Sequence, residues 1–231
     1  MQASLHLLIM GVTYQWRFDV FFKYLPFIAS GIKLTLVVMV FSMVLSMAVG
    51  LVAGLMRLSP QSVFRVPSTI YVDFFRTTPL LIQIVWVFYA LPILLGVGLD
   101  ALASGIIALS LNYGAFFAEV FKAGIVSLGK GQFEAGYGLG MTTVQVLRRI
   151  ILPQAFGRML PPIANMLVSL LKDTSLVSVI GIAELMYQAR NINSLTFRPL
   201  EILTGVAFIY FFLTYPIAMF ADHVHRRIEQ H

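Results

Sequence analysis

Residues 171–181 read LKDTSLVSVIG, so Lys172 and Asp173 stand inside a long apolar run. A charge at membrane depth costs about 2.5–3.5 kcal/mol or more unless it is paired or wetted. Neighbouring residues on a helix do not share a face, which makes a simple mutual pair awkward. The other chemistry open to them is recognition of a solute that carries both charges. Lys172 suits a carboxylate and Asp173 suits an ammonium. Asp173-Thr174-Ser175 is also good N-cap chemistry, so a half-helix starting here would aim its partly positive end at the same carboxylate. A structural ion pair and a zwitterion site both stand as readings of these residues. A second polar group lies at Thr77, Thr78 and Gln83, around Pro79. The threonines either cap a helix or present hydroxyls to a solute, and Gln83 follows one turn on. Glu119 and Lys122, spaced i,i+3, read as a pair on one helix face. The third group is the polar stretch 134–153, EAGYGLGMTTVQVLRRIILP.

These groups sit in a chain of 231 residues that is 59% hydrophobic and 11% charged. Soluble domains carry about 25% charged residues, so the solvent for much of this chain is lipid. With no cysteine there is no disulfide and no thiolate metal site. His223 and His225 lack the further ligands a metal needs. The net charge of +6 is spread along the chain rather than gathered in a patch, which argues against nucleic acid as a partner. The segment 124–130 has phosphate-loop spacing but carries Gly131 where Ser or Thr is required, and no strand precedes it.

Five stretches are apolar and long enough to cross a bilayer: 34–56, 77–95, 102–118, 159–182 and 202–221. The expected fold is therefore all-α, a polytopic membrane protein with about five transmembrane helices. Residues 1–30 form an extracytoplasmic or interfacial segment, with aromatics and charges mixed between Trp16 and Pro26; residues 1–10 do not make a convincing signal peptide. The membrane domain is 31–222, and 223–231 is a tail. Ten basic residues fall on one side of this arrangement (Arg57, Arg65, Arg76, Lys122, Lys130, Arg148, Arg149, Arg158, Arg226, Arg227) and five on the other. The positive-inside rule then places the 127–158 loop and the C-terminus in the cytoplasm and the N-terminus outside.

Within that loop the stretch 132–139 reads as one short helix ended by Gly140. A second, capped by Thr142 or Thr143, is stopped or bent at Pro153. Its mixed polarity suits either an amphipathic connector or a docking surface. The pattern resembles the EAA loop of ABC importer permeases: Glu134-Ala135-Gly136, three residues, Gly140, nine residues, then Ile150-Ile151-Leu152-Pro153. Gly136 departs from the usual alanine. The stretches Asp73-Phe-Phe-Arg-Thr-Thr-Pro-Leu-Leu-Ile-Gln83, Ala118-Glu-Val-Phe-Lys-Ala-Gly124, Lys130-Gly-Gln-Phe-Glu134 and Leu171-Lys-Asp-Thr-Ser-Leu-Val-Ser-Val-Ile-Gly181 narrow the resemblance to the polar amino-acid permeases of histidine/glutamine/arginine type, over roughly 24–227.

That resemblance implies a permease subunit of an ATP-driven importer in the bacterial cytoplasmic membrane. It implies coupling through Glu134, Ala135, Gly136, Gly140, Leu152 and Pro153 to a dimer of ATPase subunits, which bind the ATP and Mg and do the hydrolysis. It implies a second permease chain, identical or related, an extracytoplasmic solute-binding protein, and an amino-acid substrate met by Lys172, Asp173, Thr174, Ser175, Thr77, Thr78 and Gln83. No cofactor and no catalytic role fall to this chain. Basic-substrate members can carry an acidic residue where Met166 stands here, which points away from arginine or lysine as cargo. The rival reading, an ion-coupled secondary transporter of amino acids, has no use for Glu134 or Gly140 and predicts internal repeats that the sequence does not display.

Overall fold

The computed structural model describes residues 4–6 and 13–229, with side chains described at 14–129 and 131–220. The histidines at 223 and 225, and all of residues 1–10, lie outside the described side chains. A two-stranded antiparallel hairpin, β1 (Ser4–His6) and β2 (Thr13–Gln15), pairs Leu5 with Tyr14. The elements after it are all helical: α1 (Phe18–Ser30), α2 (Ile32–Leu58), α3 (Ser62–Thr77), α4 (Leu80–Leu95), α5 (Ala101–Val126), α6 (Gly129–Gly138), α7 (Thr143–Val146), α8 (Leu152–Asp173), α9 (Leu185–Thr196) and α10 (Pro199–Glu229). In lipid every backbone group must be satisfied internally, which is why apolar stretches of this length become helices.

Among the described residues, four continuous stretches are long and apolar enough to cross a membrane: Phe18–Leu58, Ala101–Val126, Thr143–Ile180 and Pro199–Phe220. The fifth crossing is not the single helix that 77–95 promised. α3 and α4 meet at a break bent by 110°, with Thr77 closing α3 rather than opening the next helix. Pro79 removes an N–H donor and disfavours helical geometry at Thr78. The first crossing is also longer than 34–56, because α1 runs into α2 through Gly31.

α5 is the axis of the fold. It packs on α2 along matched small residues: Ser42, Ser46, Gly50 and Gly54 on α2 are buried against the α5 side that carries Ser110, Gly114 and Ala118. A Cβ at Gly50 would fall 2.4 Å from that of Phe117. Lipid tails give two helices no hydrophobic reason to associate, so close backbone approach through small residues supplies the packing energy. α8 packs on α5 and α10 packs on α8, while α1 is held to α9 and α10 by Phe21, Ile28, Leu185, Ile202 and Val206.

Candidate functional site

The break between α3 and α4 exposes carbonyls that a continuous helix would satisfy. Gln83 and Asn112 take them. The Gln83 amide nitrogen lies 3.0 Å from the Phe75 carbonyl, 3.1 Å from that of Thr78 and 2.6 Å from the Thr78 hydroxyl. Asn112 donates to the Phe75 carbonyl at 2.9 Å and to Gln83 Oε1 at 3.1 Å. The Thr77 hydroxyl donates to the Asp73 carbonyl at 2.7 Å, and that of Thr78 to Phe74 at 2.8 Å. Both threonines therefore finish α3, and neither caps α4. Non-helical backbone at membrane depth persists only when it is satisfied in this way.

This clasp shapes a cavity of about 340 Å³ lined by Arg76, Thr78, Leu80, Asn112, Tyr113, Phe116, Met166, Ser169 and Asp173. The Asp173 carboxylate accepts a hydrogen bond from the Tyr113 hydroxyl at 2.7 Å. The Arg76 guanidinium stands over the Phe116 ring at 5.5 Å and meets Glu119 at 2.8 Å. Leu80, Phe116 and Met166 make the apolar remainder of the wall. One cation and one anion facing a shared space is the arrangement that binds a zwitterion. A neighbouring cavity of about 360 Å³, beside Ile82, Trp86 and Leu91, is lined almost wholly by apolar groups and offers no such pair.

Of the seven residues expected at a substrate site, the structure brings Thr78 and Asp173 to this cavity. Lys172 points outward and is exposed. It forms no ion pair with Asp173 among the described residues. Thr174 is fully buried, its hydroxyl spent on the Leu171 carbonyl at 2.7 Å. Ser175, Thr77 and Gln83 do not line the cavity. No half-helix begins at Asp173 either. Asp173 is the last residue of α8, it caps nothing, and the chain continues as a 3-10 helix over Thr174–Ile180. The backbone stays in the right-handed region at Asp173, so no helix N-terminus opens there.

Arg76 is what sequence reasoning missed. In the sequence it reads as one of ten topology-setting basics; its signal was its place immediately before the threonine pair. Glu119 does not pair with Lys122 along α5, as the spacing suggested. It binds Arg57 from α2 and Arg76 from α3 through the same oxygen. Guanidinium groups brought in by tertiary packing outcompete a lysine one turn away.

The polar loop folds as two helices in a hairpin. α6 ends before Gly140, which adopts φ +74°, a left-handed conformation that costs glycine nothing. Thr142 and Gln145 form a reciprocal capping box at the start of α7. Pro153 does not stop this helix. A π-helical turn over Leu147–Ile151 precedes it, and the helix runs on into α8. The wider turn accommodates a residue that lacks an N–H and would crowd the carbonyl four residues back. Gly136 is buried because a Cβ there would lie 2.6 Å from Val146 Cγ2; the two helices touch at the position where the motif usually has alanine. Glu134, Ala135, Leu152 and Pro153 are exposed, and so are Leu139 at 79% and Val144 at 71%. Apolar side chains that open on a polar hairpin mark a contact surface.

A membrane bundle with a charged, solute-sized cavity and a projecting helical hairpin defines the class of transport permeases. Within it, this chain belongs to the family described as the binding-protein-dependent transport system inner membrane component, whose profile matches residues 46–230. It is 39% identical over 207 residues to the L-cystine transport system permease protein TcyB of Bacillus subtilis (strain 168), covering 89% of this chain and 88% of that one. It is 32% identical to the glutamine transport system permease protein GlnP of Escherichia coli (strain K12), covering 93% and 99%. The crystal structure of an amino acid ABC transporter with histidines superposes with a TM-score of 0.85 at 34% identity, over 93% of this chain and 100% of that one. The chain is thus an ABC-importer permease, an inner membrane component whose relatives are amino-acid permeases. Nothing in these likenesses supports an ion-coupled carrier.

Proposed function

We propose that this chain forms the path for a zwitterionic, side-chain-neutral amino acid, with Arg76 receiving the α-carboxylate and Asp173 the α-ammonium. The observation that carries this reading is the cavity itself, where one guanidinium and one carboxylate share apolar walls. Moving a zwitterion into lipid unpaired is prohibitive, and two fixed counter-charges replace the water it loses. Met166 on the wall favours a neutral side chain.

The cavity opens at the surface of a single chain, so a second permease chain, identical or related, completes the path. The hairpin of α6 and α7, within 127–158, seats on a dimer of ATPase subunits through Glu134, Ala135, Gly136, Gly140, Leu152 and Pro153. The exposed Leu139 and Val144 support that role. ATP and Mg belong to those subunits, and an extracytoplasmic solute-binding protein delivers the cargo. Residues 1–30 start at the outer face, from which α1 leads into the first crossing, 31–222 make the rest of the membrane domain, and the tail 223–231 is cytoplasmic.

The test is uptake by the complex reconstituted in vesicles, with each amino acid compared with its carboxyl amide. Asp173→Asn and Arg76→Met should assemble with the ATPase and lose uptake. Loss of one charged contact is worth about 2–5 kcal/mol. Unchanged uptake in both assembled variants would move the site elsewhere.

A further inference from the structure

We propose that Glu119 and Tyr113 are positioning residues that keep the two charges of the cavity apart, so that it stays open to a zwitterion. This rests on the reading of the cavity given above. Arg76 and Asp173 line one space, yet they form no ion pair with one another. A guanidinium and a carboxylate in a shared low-dielectric cavity attract strongly, and arginine's long stem lets it cross a small gap. Their direct union would consume both recognition charges. Each is instead tethered to α5, less than two turns apart. Tyr113 holds Asp173 at 2.7 Å, and Glu119 holds Arg76 at 2.8 Å, with the Phe116 ring beneath the guanidinium. α5 is the most buried of the four continuous crossings, so the tethers stand on a rigid support.

The charge count matters too. Glu119 gives one oxygen to two arginines, so the cluster of Arg57, Arg76 and Glu119 keeps one uncompensated positive charge. Arg57 is the more enclosed, its side chain 10% exposed against 38% for Arg76. The surplus therefore lies with Arg76, on the cavity side, where a carboxylate enters. Arg57 serves as the fixed cation that lets Glu119 hold Arg76 without neutralising it.

Glu119→Gln keeps the shape and removes the charge. Arg57 then repels Arg76, which turns to Asp173, and the substrate must break that new pair before binding. The experiment is equilibrium binding to the permease–ATPase complex in nanodiscs. The probe is the member of a panel, L-cystine and the standard amino acids, that the unmodified complex binds most tightly. Glu119→Gln should bind about tenfold more weakly, equivalent to about 1.4 kcal/mol. ATP turnover at saturating probe should hold, and Glu119→Asp should recover most of the affinity. A buried Arg57 left without its partner endangers folding, so Glu119→Gln with Arg57→Met is the second variant, and it should show the same weakening. Tyr113→Phe should weaken binding from the other end.

Affinity within twofold of the unmodified complex in the assembled Glu119 variants, while Asp173→Asn and Arg76→Met abolish binding, overturns the tethers and leaves the cavity reading intact. An equal fall in saturated turnover, with no recovery in Glu119→Asp, makes Glu119 structural only and overturns the proposal. Normal binding in Asp173→Asn and Arg76→Met, or no panel member bound at all, overturns the cavity reading and the tethers with it.

Discussion

Gln83 shows how one residue type carries two opposite meanings. A glutamine at membrane depth looks like a solute contact, but this one is buried, donating from its nitrogen to the helix break and accepting at its oxygen from Asn112. Gln83→Leu should therefore destabilise the protein whether or not substrate is present. Each buried acceptor left alone costs about 1–3 kcal/mol. A clear drop in the thermal unfolding temperature of the purified chain is the expected readout. Wild-type stability with lost substrate binding would return Gln83 to the path. Asp173 was legible from the sequence because a charge among apolar neighbours stands out. Arg76 was not, because a basic residue near a span end is ordinary, and only the 110° break turns it into the cavity.

At the scale of elements, the hairpin of α6 and α7 was the best-read part of the chain. Gly140 and Thr142 act through local chemistry, a positive φ and a capping box, which sequence spacing encodes directly. The fate of Pro153 was not local, since the helix passes it through a π turn supported by packing of Val146, Ile151 and Ala155 in the core. Gly136 belongs to this scale as well. Restoring alanine there improves helix propensity by about 1 kcal/mol. It also forces a Cβ against Val146, and overpacking costs about 1–3 kcal/mol. Gly136→Ala should weaken ATPase association, and adding Val146→Ala should restore it. Co-purification with the ATPase subunit measures both; stronger association in the single variant would show that the hairpin yields.

The whole molecule is an inner-membrane permease whose described residues hold four continuous stretches long enough to cross and one bent pair of helices. Its orientation rests on the basic residues, and taking Arg76 out of that count leaves nine against five. The chain has no cysteine, so Gln145→Cys adds a single thiol on the exposed side of α7. In intact cells that thiol should resist a membrane-impermeant reagent and react after permeabilisation. Prompt labelling of intact cells would invert the topology.

By itself, the sequence determined what lipid and local backbone chemistry impose: the helical class, about five candidate crossings, the two-helix hairpin closed by Gly140 and Thr142, and an acid at 173 among apolar neighbours. Lipid selects apolar runs of set length, and glycine, threonine and proline act on their immediate neighbours, so those features are written in consecutive residues. Tertiary structure decided the rest. It joined α1 to α2, seated α2 on α5 through small residues, set the 110° angle between α3 and α4, and carried Arg57, Arg76 and Glu119 together from three helices. Such contacts depend on which faces meet when helices pack, and a helix face is set by its partner as much as by its own residues.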